Sequence, residues 1–568
     1  MSAVSSPPPA ESTPVTTLFT PAAAKSLRGR WIWGLGILVI ASIAQGILWA
    51  QWWEDPTHFK MSILFVWPAA LFALLIWWVF FSGWSWRVRL GAVGALAASF
   101  IGLLCVYRLE WDGDMVPRRF VLRSKPRAEE VAREFFKQVS ATAPAKSDST
   151  DPASTETPPL VAVEGDWTGF RGPHRDGIVR DGSLRRNWEA KPLREVWRHP
   201  VGRAWSAFTV VGHYAFTQEQ REANECVVAY DAETGSQLWV HQDNTILSIV
   251  EANGGPGPHA TPQFDDGRLY TLGGTGVLNC LDAATGKRHW TTNILQDAGD
   301  GTTPEKPPEW GVSCSPLVVD DLVVVIPGGS ATEGSSGNNK GVAAYDKKSG
   351  KPVWAAGKHP ASYGSARIET IGDTRQVLIP NGNGLSGHAL ETGEELWFFP
   401  LENAPKVNSS MPWVLEDDSV LFGTGYGIGT VRLDIKQTDG KWEATRRWAS
   451  NRFRPKFNDF VVREGFLFGL DDGTLTCLDV ANGAIKWKSG RYGYGQVLLV
   501  GELLLIITED GELLLLPATP TKPEPVALQK VFDSGFCWNH LALVRGRLFA
   551  RNANEAACFD VAETPDGG

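Results

Sequence analysis

The chain is poor in the residue patterns on which most site chemistries rest. Its seven cysteines, Cys105, Cys226, Cys280, Cys314, Cys477, Cys537 and Cys558, are odd in number, scattered, and never adjacent or in a CxxC pair. That spacing offers no zinc site, thioredoxin motif or c-type haem attachment. The ten histidines are equally dispersed and show no metal-ligand spacing. No GxSxG, HExxH, Walker loop or EF-hand run occurs, which removes the catalytic and metal readings those motifs carry. A basic surplus is missing too, since 54 Lys and Arg stand against 63 Asp and Glu for a formal charge of -9. A phosphate backbone must be met by excess cationic side chains, so a nucleic-acid partner is excluded as a first reading.

Glycine (59) and proline (36) are abundant over 568 residues, which argues against a mostly helical chain and for several units or a repeat array. The 43% hydrophobic content is ample for a core. Tryptophan is plentiful and divided: 11 of the 25 precede residue 112 and 14 follow residue 166. The two groups have different jobs.

Three stretches, 31–50, 61–81 and 90–107, carry no charged residue. Each approaches the ~20 residues that span a hydrocarbon core at 1.5 Å rise. Trp31, Trp33, Trp49, Trp52, Trp53, Trp84 and Trp86 flank them, as expected where indole rings sit at the membrane interface. Three transmembrane helices are predicted. A cleaved signal peptide fits badly, because its apolar region is shorter and ends at a small-residue cleavage site. Lys25, Arg28 and Arg30 precede the first span, only Lys60 separates the first two, and Arg87 and Arg89 separate the second and third. This bias predicts a cytoplasmic amino terminus and carries the chain after residue 107 across the membrane. Arg108, Arg118, Arg119 and Arg123 work against it and are partly offset by Glu110, Asp112 and Asp114. Residues 126–140 read as a short amphipathic helix, with Val131, Phe135, Phe136 and Val139 near one face. Residues 141–159 form a Ser/Thr/Pro/Ala linker with too few apolar residues to fold.

Beyond the linker one pattern returns: CVVAYDAETGSQLW ending at Trp239, VLNCLDAATGKRHW at Trp290, GVAAYDKKSGKPVW at Trp354, GLSGHALETGEELW at Trp397 and TLTCLDVANGAIKW at Trp487. Each copy reads as an alternating strand, a turn and a second strand. The Asp (231, 282, 346, 479) has a carboxylate suited to bonding turn amides, and the Gly (235, 286, 350, 393, 483) takes positive φ. The Trp packs a large rigid surface onto a neighbour. Weaker copies end at Trp448 and Phe532. An isolated strand bearing Trp197 precedes the first copy, and an Asp-bearing strand at 555–561 follows the last without a Trp strand behind it. These two orphans complete one blade, so eight blades close into a ring through both termini and leave no exposed edge. The expected organisation is a disordered cytoplasmic segment 1–30, a three-helix anchor 31–107, a helix and linker 108–165, an eight-bladed propeller 166–563 and a tail 564–568. The fold class is all-β after the helices.

The AxDxxTGxxxW unit resembles the repeat of the pyrroloquinoline quinone (PQQ) propellers, a superfamily of quinoprotein dehydrogenases and non-enzymatic relatives such as BamB-like assembly factors. The likeness spans about 400 of the 568 residues. The leader 166–177 (DWTGFRGPHRDG) and the closing segment 538–558 are similar to PQQ-like propeller proteins of environmental bacteria. For the dehydrogenases the resemblance implies calcium-bound PQQ, a catalytic Asp, Glu and Asn as metal ligands, and often an adjacent-cysteine disulfide. Here no two cysteines adjoin, and the loops around a cofactor would be short. Cys226, Cys280, Cys477 and Cys558 fall in or beside the Asp-bearing strands, as small buried hydrophobes do. Membrane-bound glucose dehydrogenases share the layout of transmembrane helices joined to a periplasmic propeller.

The glycine string 423–430 lies between strands and reads as a hairpin loop, and the acidic pairs 265–266, 471–472 and 509–510, each followed by Gly, read as turns. Loops from each Trp strand to the next blade, with those preceding the Asp strands, gather at one mouth of the channel. They present Glu219, His259, Trp310, Asn408, Lys456, Asn458, Gln496, Trp538, Asn539, His540, Arg551 and Asn552 as a candidate ligand site. The alternative is that these groups merely bond loop backbone. Two long loops, 241–262 and 291–316, favour a shaped surface. The functional expectation is a membrane-anchored, periplasmic binding module for an envelope protein or small ligand, with no catalytic residue, metal or cofactor assigned. The competing expectation is a PQQ- and calcium-dependent alcohol or sugar dehydrogenase passing electrons to membrane quinone.

Overall fold

The computed structural model describes residues 21–52, 56–111, 117–142, 159–180, 182–248, 255–298, 307–328, 340–533 and 535–563. Residues 1–20 of the expected disordered segment 1–30, most of the linker and the tail 564–568 lie outside the described residues, while 21–30 belong to the first helix rather than to a disordered segment. The chain forms two compact units.

The first unit holds three helices, α1 (Pro21–Trp52), α2 (Pro56–Phe81) and α3 (Trp86–Val106). Within them Ile32–Gln51, Ser62–Phe81 and Trp86–Val106 are long and apolar enough to cross a membrane. Their large side chains point outward, as at Ile40, Phe65 and Phe72, which are 69%, 74% and 66% exposed. Water penalises such a surface and lipid does not. Helix α3 begins earlier than the uncharged stretch because Arg89 serves the backbone. Its guanidinium donates to the Val79 carbonyl at 2.6 Å and the Trp84 carbonyl at 2.7 Å, occupying one acceptor at the end of α2 and one in the loop after it. After α3 the chain turns back as a two-stranded hairpin, Tyr107–Trp111 with Pro117–Leu122, which the sequence reading did not foresee.

The second unit contains the propeller and one packed helix. Eight sheets follow in order, blades 1 to 7 spanning 209–243, 263–293, 317–356, 367–400, 413–450, 461–491 and 496–530. Blade 8 combines Ala542–Val544, Arg547–Arg551 and Glu555–Asp560 with Arg194–Pro200. The two orphan strands pair antiparallel with Cys558 opposite Trp197, so both ends of the domain share one blade. Blade 7 carries an unforeseen fifth strand, Ile178–Val179, parallel to its first strand. The first strands of neighbouring blades pack against one another and line the axis.

The repeat residues act as their chemistry requires. In blade 3 the Asp346 carboxylate accepts from the Ser349 amide at 2.8 Å and from the Ser349 hydroxyl at 2.6 Å. These bonds hold its carboxyl below the ordinary value. The indole of one blade then lies on the turn of the next. Trp197, Trp239, Trp290, Trp354, Trp448 and Trp487 donate Nε1–H to the carbonyls of Ala232, Ala283, Lys347, Leu390, Val480 and Thr519 at 2.9 to 3.1 Å. Trp397 differs and bonds Gln376 of its own blade at 2.7 Å, because the next blade replaces the short turn with ten-residue strands. Phe532, which cannot donate, meets Phe559 edge-on. Cys226, Cys280, Cys477 and Cys558 are buried free thiols. The glycine string and the three acidic pairs occupy hairpin turns.

Candidate functional site

The first strand of each blade begins at the same end of the channel, here called the mouth, and hydrogen bonds tie the eight strand starts into a ring. Backbone amides of Ala207, Thr261 and Ser315 donate to Thr261 Oγ1, Ser315 Oγ and Ser365 Oγ of the following blade at 3.0, 2.9 and 2.9 Å. Gly364 N donates to the Asn408 carbonyl, and Met411 N to Asp459 Oδ1 at 2.6 Å. Gln496 Nε2 bridges the carbonyls of Phe457 and Trp538, each at 2.9 Å, and Asn539 Nδ2 reaches Ser206 O at 2.8 Å to close the circle.

Beside these ties, at the strand starts, stand Trp205, His259, Ser313, Tyr363, Ser409, Phe457, Tyr494 and Trp538 in blades 1 to 8. Six of the eight carry rings, so the mouth wears an aromatic crown. Trp205, Trp538 and Phe457 stack in series, with centroids 5.0 and 5.3 Å apart and planes within 26° and 20°. Tyr494 meets Phe457 and Trp538 edge-on, and Trp310 meets Tyr363 likewise at 5.3 Å. The Lys456 ammonium lies 4.7, 5.2 and 5.0 Å from the ring centres of Tyr426, Phe457 and Tyr494, an arrangement of cation–π contacts. His259 meets the Ser313 hydroxyl at 3.1 Å, and burial pulls its imidazole down to about 4, so it is neutral at pH 7.

Below the crown the channel is filled by the leader. Trp167 pairs antiparallel with Val210 of blade 1, and Ile178–Val179 runs parallel along blade 7, so the segment rises from the face opposite the mouth and returns to it. Arg171 and Arg175 take positive φ within this loop. Arg171, 1% exposed, donates to the carbonyls of Asp176 and Phe460 at 2.9 and 2.7 Å and lies 3.5 Å from Asp459 Oδ1. Arg175 donates to the carbonyls of Ser315 and Pro316. Burial lowers both guanidinium pKa values, that of Arg175 to about 10. Burial opposes ionisation of Asp459, but the Arg171 charge and the His540 bond outweigh it and hold the carboxyl below its ordinary value. His540 bonds Asp459 at 3.1 Å and meets Phe170 of the leader edge-on at 4.8 Å. Burial lowers its pKa despite Asp459.

The twelve residues nominated from the sequence divide by job. His259, Trp310, Lys456, Asn458, Trp538 and His540 sit in or just under the crown. Asn408, Gln496 and Asn539 are ring ties. Glu219, Arg551 and Asn552 lie to the blade 8 and blade 1 side. Glu219 is fully buried, accepting from Tyr230 Oη at 2.5 Å, Gly202 N at 2.9 Å and Arg221 Nε at 3.0 Å. Arg551 donates to Thr217 Oγ1 and the carbonyls of Gly202 and Gln218. Asn552 Oδ1 accepts from the amides of Asn554 and Glu555 in a turn. Arg171, Arg175, Asp459, Trp205 and Tyr494 were not nominated. The repeat alignment of the strand starts would have found the crown positions.

Helix α4 (Ala128–Thr142) packs on this same side. Phe135 stacks on His199 at 5.5 Å, Arg221 lies 3.7 Å over Phe136, and Glu129 and Arg133 pair with Arg203 and Glu222. Ala132 is buried and Val131 is 41% exposed, so the packed seam is turned slightly from the face the sequence suggested. A cavity of about 640 Å³ lies between the helix and the blades.

The eight blades and the indoles docked between them define an eight-bladed β-propeller. Residues 223–489 match the family model described as outer membrane protein assembly factor BamB. No curated protein matches the chain. Among solved structures, BamB from Moraxella catarrhalis is 16% identical with a TM-score of 0.46, covering 65% of this chain and 99% of its own. A europium-containing methanol dehydrogenase is 12% identical with a TM-score of 0.48, covering 68% and 89%. Quinohemoprotein alcohol dehydrogenase from Comamonas testosteroni is 13% identical with a TM-score of 0.49, covering 71% and 82%.

Proposed function

We propose that the chain is a membrane-anchored binding module whose propeller lies on the periplasmic side and recognises its ligand or protein partner at the crowned mouth. The carrying observation is that two buried carboxylates, Asp459 and Glu219, are already paired within the protein. Asp459 is matched by Arg171 and His540, and Glu219 by Arg221 and Tyr230. A calcium ion needs several oxygen ligands with negative charge to spare. Among the described residues no three His, Cys, Asp or Glu side chains gather to hold a metal. The donor set therefore fits calcium-bound PQQ badly, and the leader fills the channel beneath the crown. The aromatic rings and neutral amides at the mouth suit recognition without redox chemistry.

Thermal melting of the full chain in detergent, with and without PQQ and calcium, tests this reading. A specific ligand at 100 times its dissociation constant stabilises a fold by about 2.7 kcal/mol. PQQ with calcium is expected to leave the melting temperature unchanged and to support no dye reduction with alcohols or sugars. A saturable upward shift that Trp538→Ala abolishes would instead establish the dehydrogenase.

A further inference from the structure

Three buried amides beneath the aromatic stack have hydrogen-bonding capacity that the protein leaves unused. Both polar atoms of Asn458, Oε1 of Gln496 and Oδ1 of Asn539 are sealed from solvent and lack a partner. The three side chains are 2%, 1% and 1% exposed. They are neighbours, because Gln496 Nε2 bonds the carbonyls of Phe457 and Trp538, the residues that immediately precede Asn458 and Asn539. Buried polar groups in native folds are almost always satisfied. Four atoms without a protein partner at adjoining positions therefore mark a place suited to receive hydroxyl groups from outside the protein.

The surroundings narrow what those hydroxyls belong to. The roof is the series Trp205, Trp538 and Phe457, flat rings stacked from blades 1, 8 and 6. Nearby charges are engaged: Asp459 with Arg171 and His540, Glu509 with the Trp538 indole at 3.0 Å, and Lys456 with the Tyr494 hydroxyl and the rings around it. An anionic ligand meets no spare cation there. Neutral amides supply both donors and acceptors to hydroxyls, and aromatic faces cover apolar C–H surfaces.

We propose that this cluster of amides binds a neutral saccharide, one sugar unit reaching the Asn458, Gln496 and Asn539 amides while the Trp205–Trp538–Phe457 rings part and stack against it. This assignment rests on the reading of the mouth as a recognition face. Isothermal titration of the full chain in detergent with maltopentaose, cellopentaose and chitopentaose tests it, with trigalacturonate as the anionic control. At least one neutral oligosaccharide is expected to bind saturably, and the anion is not. Asn458→Ala removes a side-chain amide that makes no bond, so the melting temperature should hold or rise while affinity falls about tenfold, the worth of one good hydrogen bond. Trp205→Ala should weaken binding without that amide being touched. Silence from all three neutral sugars overturns the assignment, and a raised melting temperature of Asn458→Ala alongside that silence means the amides meet ordered water only. Binding undiminished in both variants overturns it as well, by moving the sugar elsewhere. A PQQ-dependent stabilisation would overturn the binding-module reading itself, whereas sugar silence alone removes only the ligand class.

Discussion

At the scale of single residues, the repeat glycines are set by two constraints at once. Gly350 has φ +70°, and a Cβ there would stand 2.5 Å from the Trp290 ring. Gly372 also has positive φ but has open space around it. Left-handed backbone costs a residue with a Cβ roughly 1–2 kcal/mol, and overpacking adds about 1–3 kcal/mol. Gly350→Ala should therefore lower the melting temperature clearly more than Gly372→Ala, and equal effects would show that the indole does not press on the turn. Glu225 makes a second prediction at this scale. Burial pushes its carboxyl up to about 7, although the Gly274 amide at 3.1 Å and the Thr275 hydroxyl at 3.3 Å favour the anion. An unfolded glutamate titrates near 4.5. Between those values the folded chain holds a proton that the unfolded chain lacks, so this group makes stability fall as pH rises, by at most about 1.4 kcal/mol per pH unit. Glu225→Gln should flatten the melting temperature between pH 5 and 7 relative to the parent and leave the variant more stable at pH 8. Parallel profiles would place the titration elsewhere.

At the scale of elements, the fold was legible where structure is local and repeated. Asp, Gly and Trp recur within one turn of each other in most blades, so the repeat is legible in the sequence, and the complementary orphan strands imply that the ring closes. Deleting 555–568 should accordingly remove the third strand of blade 8, deprive strand Arg194–Pro200 of its partner and abolish cooperative melting. A truncated chain that melts like the parent would mean the ring is closed by other contacts. The leader was not legible in this way. Its Arg171 bonds a carbonyl 289 positions away and its Arg175 one 141 away, and nothing in the spacing of DWTGFRGPHRDG states such partners. The hairpin after α3 escaped notice because its charged residues read as a topology signal. At the candidate site, residue type identified polar loop positions but did not separate ring ties such as Asn408 from unpartnered amides such as Asn458. That distinction depends on which carbonyl each side chain meets.

At the scale of the whole molecule, the two units draw on opposite physics. The propeller buries its apolar residues between blades and turns polar turns to water, while the three helices expose many of their Ile, Leu, Phe and Trp side chains. A solvent that accepts the first surface rejects the second, which is why the helices read as membrane spans. Charge then predicts the side of the membrane. Lys25, Arg28 and Arg30 precede α1's apolar window, and Arg87 and Arg89 stand at the start of α3, so the basic ends of the first and third spans coincide with the same compartment if all three helices cross. Of the arginines that oppose this assignment, Arg119 pairs with Glu110 at 2.8 Å, and Arg123 donates to the Leu104 carbonyl at 2.6 Å. An odd number of crossings places Gly568 opposite the amino terminus. A reporter that matures only outside the cytoplasm, fused after Gly568, should be active, and a cytoplasm-dependent reporter at the same position should be silent. Replacing Arg28 and Arg30 by Glu should weaken that asymmetry, because positive charge within about 15–20 residues of a span holds it on the cytoplasmic side. Activity of the cytoplasm-dependent reporter in the unaltered chain would invert the orientation and with it remove the periplasmic setting in which the mouth is proposed to meet its ligand.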